Sequence, residues 1–282
     1  MLAIDIGSNT LKVSFIENGA IKNLDFVLNL GLFYENDRLS DDGIKVLENA
    51  LDNLALRFDL SKAKVVATAI FRKSQNAKEI AQNLYEKYGF RLQILSQIDE
   101  AKLTRIGVGY SLKGDFTLVD IGGYSTEISD ENNRLLLDIG LLSFYKNYKA
   151  QNEPLDEFAK SVFAPFLKHL KAFKEPIVLA SKTGVFAKSL QDGLKCDEVD
   201  DLDYHNIKIT RNDLYNLIDF LERNDTATNE LYVGKNRDFA VLCGAYFILT
   251  MFKNEEFIIS AYGLKEGVLF DEKFTEINSS GI

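Results

Sequence analysis

Short stretches of alternating hydrophobic and polar residues open this chain, and a second set of the same kind begins near residue 116. The first set predicts three strands, over residues 2–6, 12–17 and 21–28. The Asn18-Gly19 pair between the last two is a strong hairpin-turn signal. The second set predicts three further strands, over residues 116–121, 125–129 and 135–139. Two groups of antiparallel strands therefore mark the starts of two similar segments.

Helical and strand-like patterns alternate after the first group of strands. Apolar residues at helical spacing predict helices over 41–57 and 74–88, and short apolar runs predict strands over 64–70 and 91–95. Ser96 stands three residues before Asp99, which is the spacing of a capping box. We therefore predict a helix that begins at this pair and runs toward residue 108.

The second segment continues with the same alternation. We predict strands over 176–180 and 257–260, and helices over 154–173, from 182, over 211–222, over 238–252 and from 263. The Asp-rich residues 192–206 predict a surface loop. Two rounds of one pattern predict an α/β fold that is used twice. We expect a first lobe of residues 1–117 with a returning segment, 265–282, and a second lobe of residues 118–264.

Charge and the scarcity of cysteine and histidine narrow the function classes. The 33 basic and 42 acidic residues give a net charge of -9, which argues against a DNA partner because a nucleic-acid backbone needs a cationic surface. Two cysteines and two histidines exclude a zinc cluster and argue against a disulfide framework, so any metal should be an oxygen-liganded ion such as Mg²⁺. Without a signal peptide or a long apolar stretch, we expect a cytoplasmic protein that has no membrane partner.

An Asp-Ile-Gly turn occurs twice, at residues 5–7 and 120–122, each time after the first strand of a segment. Glycine lets the backbone turn tightly and approach a ligand, and the short polar residues that follow offer donors beside exposed N–H groups, which suits a phosphate. One such turn could be an ordinary β-turn, whereas two copies at equivalent positions favour a phosphate site. The residues expected to form it are Gly7, Ser8, Asn9, Thr10, Gly122, Gly123, Ser125 and Thr126. The Asp5 carboxylate suits Mg²⁺ or a water bound to that ion.

Paired turns in duplicated α/β segments resemble the actin/sugar-kinase/heat-shock ATPase superfamily, and the details are similar to its exopolyphosphatase/guanosine pentaphosphate phosphohydrolase (Ppx/GppA) branch. The matching segments follow the family's order and cover nearly the whole chain: AIDIGSNT (3–10), ATAIFR (67–72) with NA (76–77), DEA (99–101), VDIGG (119–123) with STE (125–127), ASKT (180–183) and GLKEG (263–267). The resemblance implies duplicated actin-like (ribonuclease H-like) lobes with an interlobe cleft. It also implies magnesium-dependent removal of the terminal phosphate from inorganic polyphosphate or guanosine pentaphosphate.

The resemblance assigns a role to Glu100, which matches the family's catalytic glutamate. The sequence independently places Glu100 in the first turn of the capped helix, where a carboxylate can accept a proton from an attacking water. The same position is favourable for any glutamate because of the helix dipole. Arg72 matches an arginine at the end of a strand, where a guanidinium can bind phosphate oxygens with its fork or form a surface ion pair instead.

Further site residues follow from the same resemblance. Asp120 and Glu127 match carboxylates that would position Mg²⁺ or the attacking water, so the expected metal ligands are Asp5, Asp120 and Glu127. The Ser181-Lys182-Thr183 turn matches a later phosphate-binding turn of the family.

Four positions depart from the family pattern, and the mildest departure is Asp99, which replaces a glutamate of the family's acidic pair. Tyr124 replaces the third glycine of the second turn, Lys182 replaces a glycine, and Lys265 replaces an arginine. A tyrosine at a glycine position is strained if φ is positive, and it obstructs a phosphate if the ligand approaches closely. Lys182, by contrast, could supply a cation to a polyanion.

These departures leave two alternatives to a hydrolase. One is a catalytically weakened sensor that binds polyphosphate or guanosine penta/tetraphosphate. The other is an ATP-dependent kinase of the same superfamily, which is less favoured because no adenosine-binding Gly-Gly pair is recognisable. The chain resembles a short form that lacks the family's C-terminal helical lobe, and a homodimer is one of its expected states.

Overall fold

The computed structural model describes residues 1–271. Its contacts divide the chain into two compact units. The first unit contains residues 1–111, 122–124 and the described part of 262–282, and the second contains residues 112–121 and 125–261. Of the predicted returning segment, residues 272–282 lie outside the described residues.

The first unit is built on a five-stranded sheet. Strands β1 (Leu2–Ile6), β2 (Thr10–Glu17) and β3 (Ala20–Val27) form an antiparallel meander, and the short β4 (Tyr34–Glu35) and β5 (Arg38–Leu39) pair separately. Strands β6 (Lys64–Ala67) and β7 (Leu92–Ile94) then add in parallel, which gives the order β3-β2-β1-β6-β7. All five residues of the central strand β1 are buried.

Four helices of the first unit are α1 (Asp41–Ala55), α2 (Ala69–Lys73), α3 (Ala77–Tyr88) and α4 (Gln97–Gly109). The predicted cap of α4 is present, since Ser96 Oγ accepts a hydrogen bond from the Asp99 backbone N–H at 3.1 Å. Helix α3 ends at Gly89, whose φ of 78° lies in the left-handed region that glycine adopts without strain.

The second unit repeats the first sheet and adds one edge strand. Its strands are β8 (Thr117–Ile121), β9 (Thr126–Ser129), β10 (Arg134–Leu137), β11 (Ile177–Leu179), β12 (Lys208–Thr210) and β13 (Glu256–Ile259). Strands β8, β9 and β10 form the antiparallel meander, and β11 and β13 run parallel to β8. The order is β10-β9-β8-β11-β13-β12, with β12 antiparallel at the edge.

The remaining helices follow in chain order: α5 (Leu141–Tyr148), α6 (Leu155–Phe163), α7 (Leu167–Leu170), α8 (Lys182–Gln191), α9 (Arg211–Arg223), α10 (Thr226–Val233), α11 (Asp238–Met251) and α12 (Leu264–Phe270). Helix α11 is the most apolar, and its Phe247 and Ile248 are fully buried in the core of the second unit. None of the helices within residues 1–271 is long and apolar enough to cross a membrane.

Helix α12 belongs to the first unit and packs directly on α4. An alanine Cβ at Gly267 would lie 1.8 Å from the Leu103 carbonyl oxygen, and one at Gly107 would lie 2.0 Å from the Gly263 carbonyl oxygen. The two helices therefore approach backbone to backbone, which only glycine permits at these positions. Lys64 Nζ donates to the Val268 carbonyl oxygen at 3.2 Å. This hydrogen bond satisfies one of the carbonyl groups in the last turn of α12, which have no partner within the helix.

Several sequence predictions of local structure were wrong. The strand predicted over 64–70 ends at Ala67 and is followed by α2, because a short apolar run looks the same in a strand and in a buried helix. The helix over 154–173 is divided into α6 and α7. Residues 192–206 contain two 3-10 helices, Cys196–Glu198 and Asp201–Tyr204, and Tyr204 is buried. Elements β4, β5, β12, α5 and α10 were not predicted.

Candidate functional site

The predicted site residues cluster after the carboxyl ends of parallel strands in both units. In the first unit, residues 7–9 follow β1, Arg72 lies in the segment after β6, and Glu100 lies in the helix after β7. In the second unit, Ser181 and Lys182 follow β11. Ligands of open α/β sheets bind at this edge, where the loops that follow parallel strands converge.

The first turn, residues 7–10, is held in a tight hairpin. The Gly7 N–H donates to the Thr10 carbonyl oxygen at 3.1 Å, and a Cβ at Gly7 would lie 2.9 Å from the same oxygen, so glycine is required for this approach. Ser8 is buried, and within residues 1–271 no group hydrogen-bonds to Ser8 Oγ or Asn9 Oδ1. Buried polar atoms are normally hydrogen-bonded to protein, water or a ligand. Ser8 Oγ and Asn9 Oδ1 are therefore suited to bind a protonated oxygen of an anion or a water molecule that surrounds it.

Arg72 and Glu100 form an ion pair in the first unit. Arg72 Nη1 donates to Glu100 Oε2 at 2.5 Å and to the Leu95 carbonyl oxygen at 3.0 Å. The Glu100 side chain is 9% exposed and that of Arg72 is 19% exposed. Arg72 was predicted at a strand end but lies in α2, and its guanidinium contacts the candidate base. This arrangement brings together a buried carboxylate and a cation at the sheet edge.

Asp5 also lies in the first unit, at the fourth position of the five-residue strand β1. It is 5% exposed in a strand whose other residues are apolar. The register places it opposite Lys12 of β2 and Val66 of β6. A buried carboxylate in a central strand has a high desolvation cost and is usually retained for a ligand or a network.

Residues 122–124 belong to the first unit and lie against its first turn. A Cβ at Gly123 would be 3.0 Å from Ser8 Cβ and 3.2 Å from the Asn9 backbone nitrogen, so Gly123 packs closely on these two residues of the first turn. The Tyr124 side chain is buried, and its hydroxyl donates to the Gly31 carbonyl oxygen at 2.7 Å.

The condition under which Tyr124 would be strained, a positive φ, is not met. The non-glycine residues with left-handed φ among those described are all asparagine or aspartate, and Tyr124 is not one of them. Burial raises the pKa of the Tyr124 phenol and the neighbouring Tyr34 adds to the shift, so the hydroxyl keeps its proton and serves as a donor. The replacement of glycine by tyrosine at this position therefore brings no left-handed backbone strain to the second turn.

Asp120 and Glu127 lie in the second unit as direct partners in the β8–β9 register. Side chains of directly opposed residues extend from the same face of a sheet, so the two carboxylates are neighbours. Glu127 is 2% exposed. Next to them, Ser125 and Thr126 are buried, and the Thr126 hydroxyl donates to the Ile139 carbonyl oxygen at 2.7 Å.

The turn at residues 181–183 begins helix α8 in the second unit. Ser181 occupies the N-cap position, and among the described residues none hydrogen-bonds to its buried Oγ. Thr183 is buried against Gly244, where a Cβ would lie 2.2 Å from Thr183 Oγ1. Lys182 Nζ is paired with the Asp201 carboxylate. The cation expected to contact a polyanion thus has an internal counter-charge.

The carboxylates of each unit can be compared with the ligands that Mg²⁺ requires. Over residues 1–271, no group of three or more histidines, cysteines or carboxylates is placed to hold a metal ion. Mg²⁺ keeps several waters and usually takes only one or two carboxylates together with substrate phosphates, so the Asp120–Glu127 pair fits its needs.

Some residues near the turns were missed from the sequence. Gly31 supports the first turn through its N–H, and Asn29, with φ of 50°, begins the 3-10 helix Leu30–Phe33. An asparagine and a glycine close together after a strand were the available signal, since both tolerate unusual backbone angles. Asp201 lies in the Asp-rich segment, but no local pattern connects it with Lys182. Lys265 forms a buried ion pair with Glu266 at 2.9 Å.

Comparison with known proteins supports the family resemblance. The family model described as the Ppx/GppA phosphatase family matches residues 2–276. The solved structure of the Aquifex aeolicus PPX-GPPA enzyme is 25% identical, with a TM-score of 0.75 over 95% of this chain and 97% of that one. An exopolyphosphatase from Cytophaga hutchinsonii shares the fold at 18% identity, with a TM-score of 0.79 over 99% of this chain and 98% of that one. The resemblance and the duplicated actin-like α/β fold class are confirmed.

Proposed function

Because this chain belongs to the Ppx/GppA phosphatase family, we propose that it is a phosphohydrolase that removes the terminal phosphate of inorganic polyphosphate or guanosine pentaphosphate. The observation that carries the proposal is the buried Glu100 carboxylate, held 2.5 Å from Arg72 at the sheet edge that also carries the first turn. Phosphoryl transfer to water requires a base, charge neutralisation and positioning, and little covalent participation by the protein.

The catalytic roles are divided between Glu100, Arg72 and the first turn. Glu100 accepts the proton of the attacking water, while Arg72 keeps the carboxylate oriented and supplies positive charge near the transferred group. The N–H groups and hydroxyls of the first turn bind phosphate oxygens, for which the buried Ser8 Oγ offers a hydrogen-bonding group.

Magnesium would be held by Asp120 and Glu127 in the second unit, and the Asp5 carboxylate of the first unit suits an ion of the same kind. When bound, the ion neutralises the negative charge that develops on the phosphate oxygens. We therefore expect activity to require Mg²⁺ and to be lost with a chelator.

Glu100→Gln tests the role of the base, because glutamine keeps the size of the side chain and removes the proton acceptor. We expect phosphate release from tripolyphosphate and from guanosine pentaphosphate to fall by about 100-fold or more, the usual contribution of a general base. Glu79→Gln is a matched control, since Glu79 also lies in the first turn of a helix, α3, and also pairs with an arginine, Arg38. Equal rates in wild type and Glu100→Gln would contradict the assignment.

A binding protein is the second candidate. It is favoured by the two turn positions at which this chain departs from the family's glycines, Tyr124 and Lys182, while the carboxylates Glu100, Asp120 and Glu127 are retained. Calorimetry that finds tight binding of guanosine pentaphosphate, with no phosphate release from either substrate in the presence of Mg²⁺, would support this candidate over the hydrolase.

A further inference from the structure

Tyr124 is a buried polar side chain for which the catalytic scheme has no use. Its exposed fraction is 6%, and its hydroxyl donates to the Gly31 carbonyl oxygen at 2.7 Å, across 93 positions of sequence. The ring lies edge-on to Tyr34, with 6.0 Å between centroids, and Lys73 Nζ is 5.9 Å from its centroid. These contacts hold the side chain in one orientation.

The residue that accepts this hydrogen bond also supports the first turn. The Gly31 N–H donates to the Ser8 carbonyl oxygen at 2.8 Å. The N–H groups of Leu28 and Asn29 donate to the Asn9 carbonyl oxygen at 2.9 and 2.8 Å. Three backbone donors from one short segment therefore fix the carbonyl groups of Ser8 and Asn9.

Each of those carbonyl groups shares a peptide unit with an N–H group of the turn: the Ser8 carbonyl with the Asn9 N–H, and the Asn9 carbonyl with the Thr10 N–H. When the carbonyl groups of Ser8 and Asn9 are bound to the 28–31 segment, the peptide planes cannot flip, and an anion meets N–H groups rather than carbonyl oxygens. Gly123 packs on the same two residues, with its would-be Cβ 3.0 Å from Ser8 Cβ. The position of residues 122–124 thus bears directly on the shape of the first turn.

We propose that Tyr124 is a positioning residue, which ties residues 122–124 through Gly31 to the first turn and thereby raises the affinity of that turn for a phosphate group. The inference rests on the proposed function only in naming a terminal phosphate as the ligand. The family has glycine at this position. In this chain, the tyrosine that replaces it supports phosphate binding and does not obstruct it.

Tyr124→Phe removes the hydroxyl and keeps the ring, so it isolates the hydrogen bond to Gly31. We expect the KM for tripolyphosphate to rise about fivefold to tenfold, as for the loss of one buried hydrogen bond, while kcat changes less than about twofold because Glu100 and Arg72 are untouched. Tyr88→Phe, which removes a hydroxyl that donates to the Glu48 carbonyl oxygen in the same unit, is the control and should leave both constants unchanged.

Calorimetry separates this inference from the proposed activity. The dissociation constant of tripolyphosphate is measured in the Glu100→Gln background, first with Tyr124 intact and then with Tyr124→Phe or Tyr124→Gly added, and thermal unfolding checks that each protein is folded. Weaker binding with Tyr124→Phe, and weaker still with Tyr124→Gly, supports the inference even if the wild type releases no phosphate. Unchanged or tighter binding with either substitution, or no binding while Tyr124 is intact, overturns it.

Discussion

Gly107 lies in helix α4 at the point where this helix meets α12, and it offers a sharp test of the packing that positions Glu100. An alanine Cβ at this residue would lie 2.0 Å from the Gly263 carbonyl oxygen and 2.7 Å from the Gly267 nitrogen. Both obstacles are backbone atoms, so no side-chain rotation can relieve the clash. Gly107→Ala therefore requires α4 and α12 to separate.

The expected loss of stability in Gly107→Ala follows from these distances. Real Cβ atoms essentially never come within 3.0 Å of such neighbours, so the helices must move apart by about 1 Å or more. Overpacking of this kind costs about 1–3 kcal/mol, and a rigid backbone obstacle places the cost at the upper end. The better helix propensity of alanine returns about 1 kcal/mol. We expect a net loss of about 2 kcal/mol in the free energy of unfolding.

Gly109, two residues further along the same helix, is the matched control. Apart from its chain neighbours and the nearby backbone of its own helix, no atom of the described chain lies within 4 Å of a Cβ built there, and its φ is not left-handed. Gly109→Ala should stabilise the protein by about 0.5–1 kcal/mol, since alanine loses less backbone entropy on folding. Two identical substitutions in one helix are thus expected to have opposite signs.

Urea unfolding followed by circular dichroism measures both variants, with thermal unfolding as a second readout. A loss of about 2 kcal/mol corresponds to a decrease in Tm of about 4–8 °C for a unit of this size. Phosphate release by Gly107→Ala reports whether displacement of α4 also disturbs Glu100. A Gly107→Ala protein as stable as Gly109→Ala would refute the packing argument.

Three further predictions concern single side chains. Asp201→Asn removes the counter-charge of Lys182 and should lower the dissociation constant of tripolyphosphate about twofold to fivefold, as expected for a partly exposed ion pair; an effect that persists in a Lys182→Ala background would contradict this. Arg72→Lys should reduce kcat about tenfold, because an ammonium group cannot reproduce the planar fork that holds Glu100, and an unchanged kcat would contradict this positioning. Burial raises the pKa of the Cys243 thiol well above its usual range, so this cysteine should react with a disulfide reagent only after denaturation; rapid reaction in the native protein would refute its burial.

Local sequence patterns were sufficient to predict those strands and helices whose hydrophobic periodicity or capping involves residues close together in the sequence. The alternation before residue 30 and the Asn18-Gly19 turn predicted β1, β2 and β3 to within two residues, because side chains of a half-buried strand must alternate between two environments. The Ser96 cap predicted the start of α4, since its hydroxyl satisfies an N–H only three residues away. The repeated Asp-Ile-Gly turns predicted the duplication in the same way.

Tertiary structure decided the contacts between residues that are distant in sequence. Nothing near Tyr124 indicates that its hydroxyl reaches Gly31, or that its φ is unstrained. The pairs Arg72–Glu100 and Lys182–Asp201 are likewise separated by 28 and 19 positions. A charged or phenolic group binds whichever partner the folded backbone brings within reach, and burial then makes that partner necessary. Local sequence was thus enough to predict the two α/β repeats and the types of residue at the site, whereas only the folded chain brings particular residues of the site into contact.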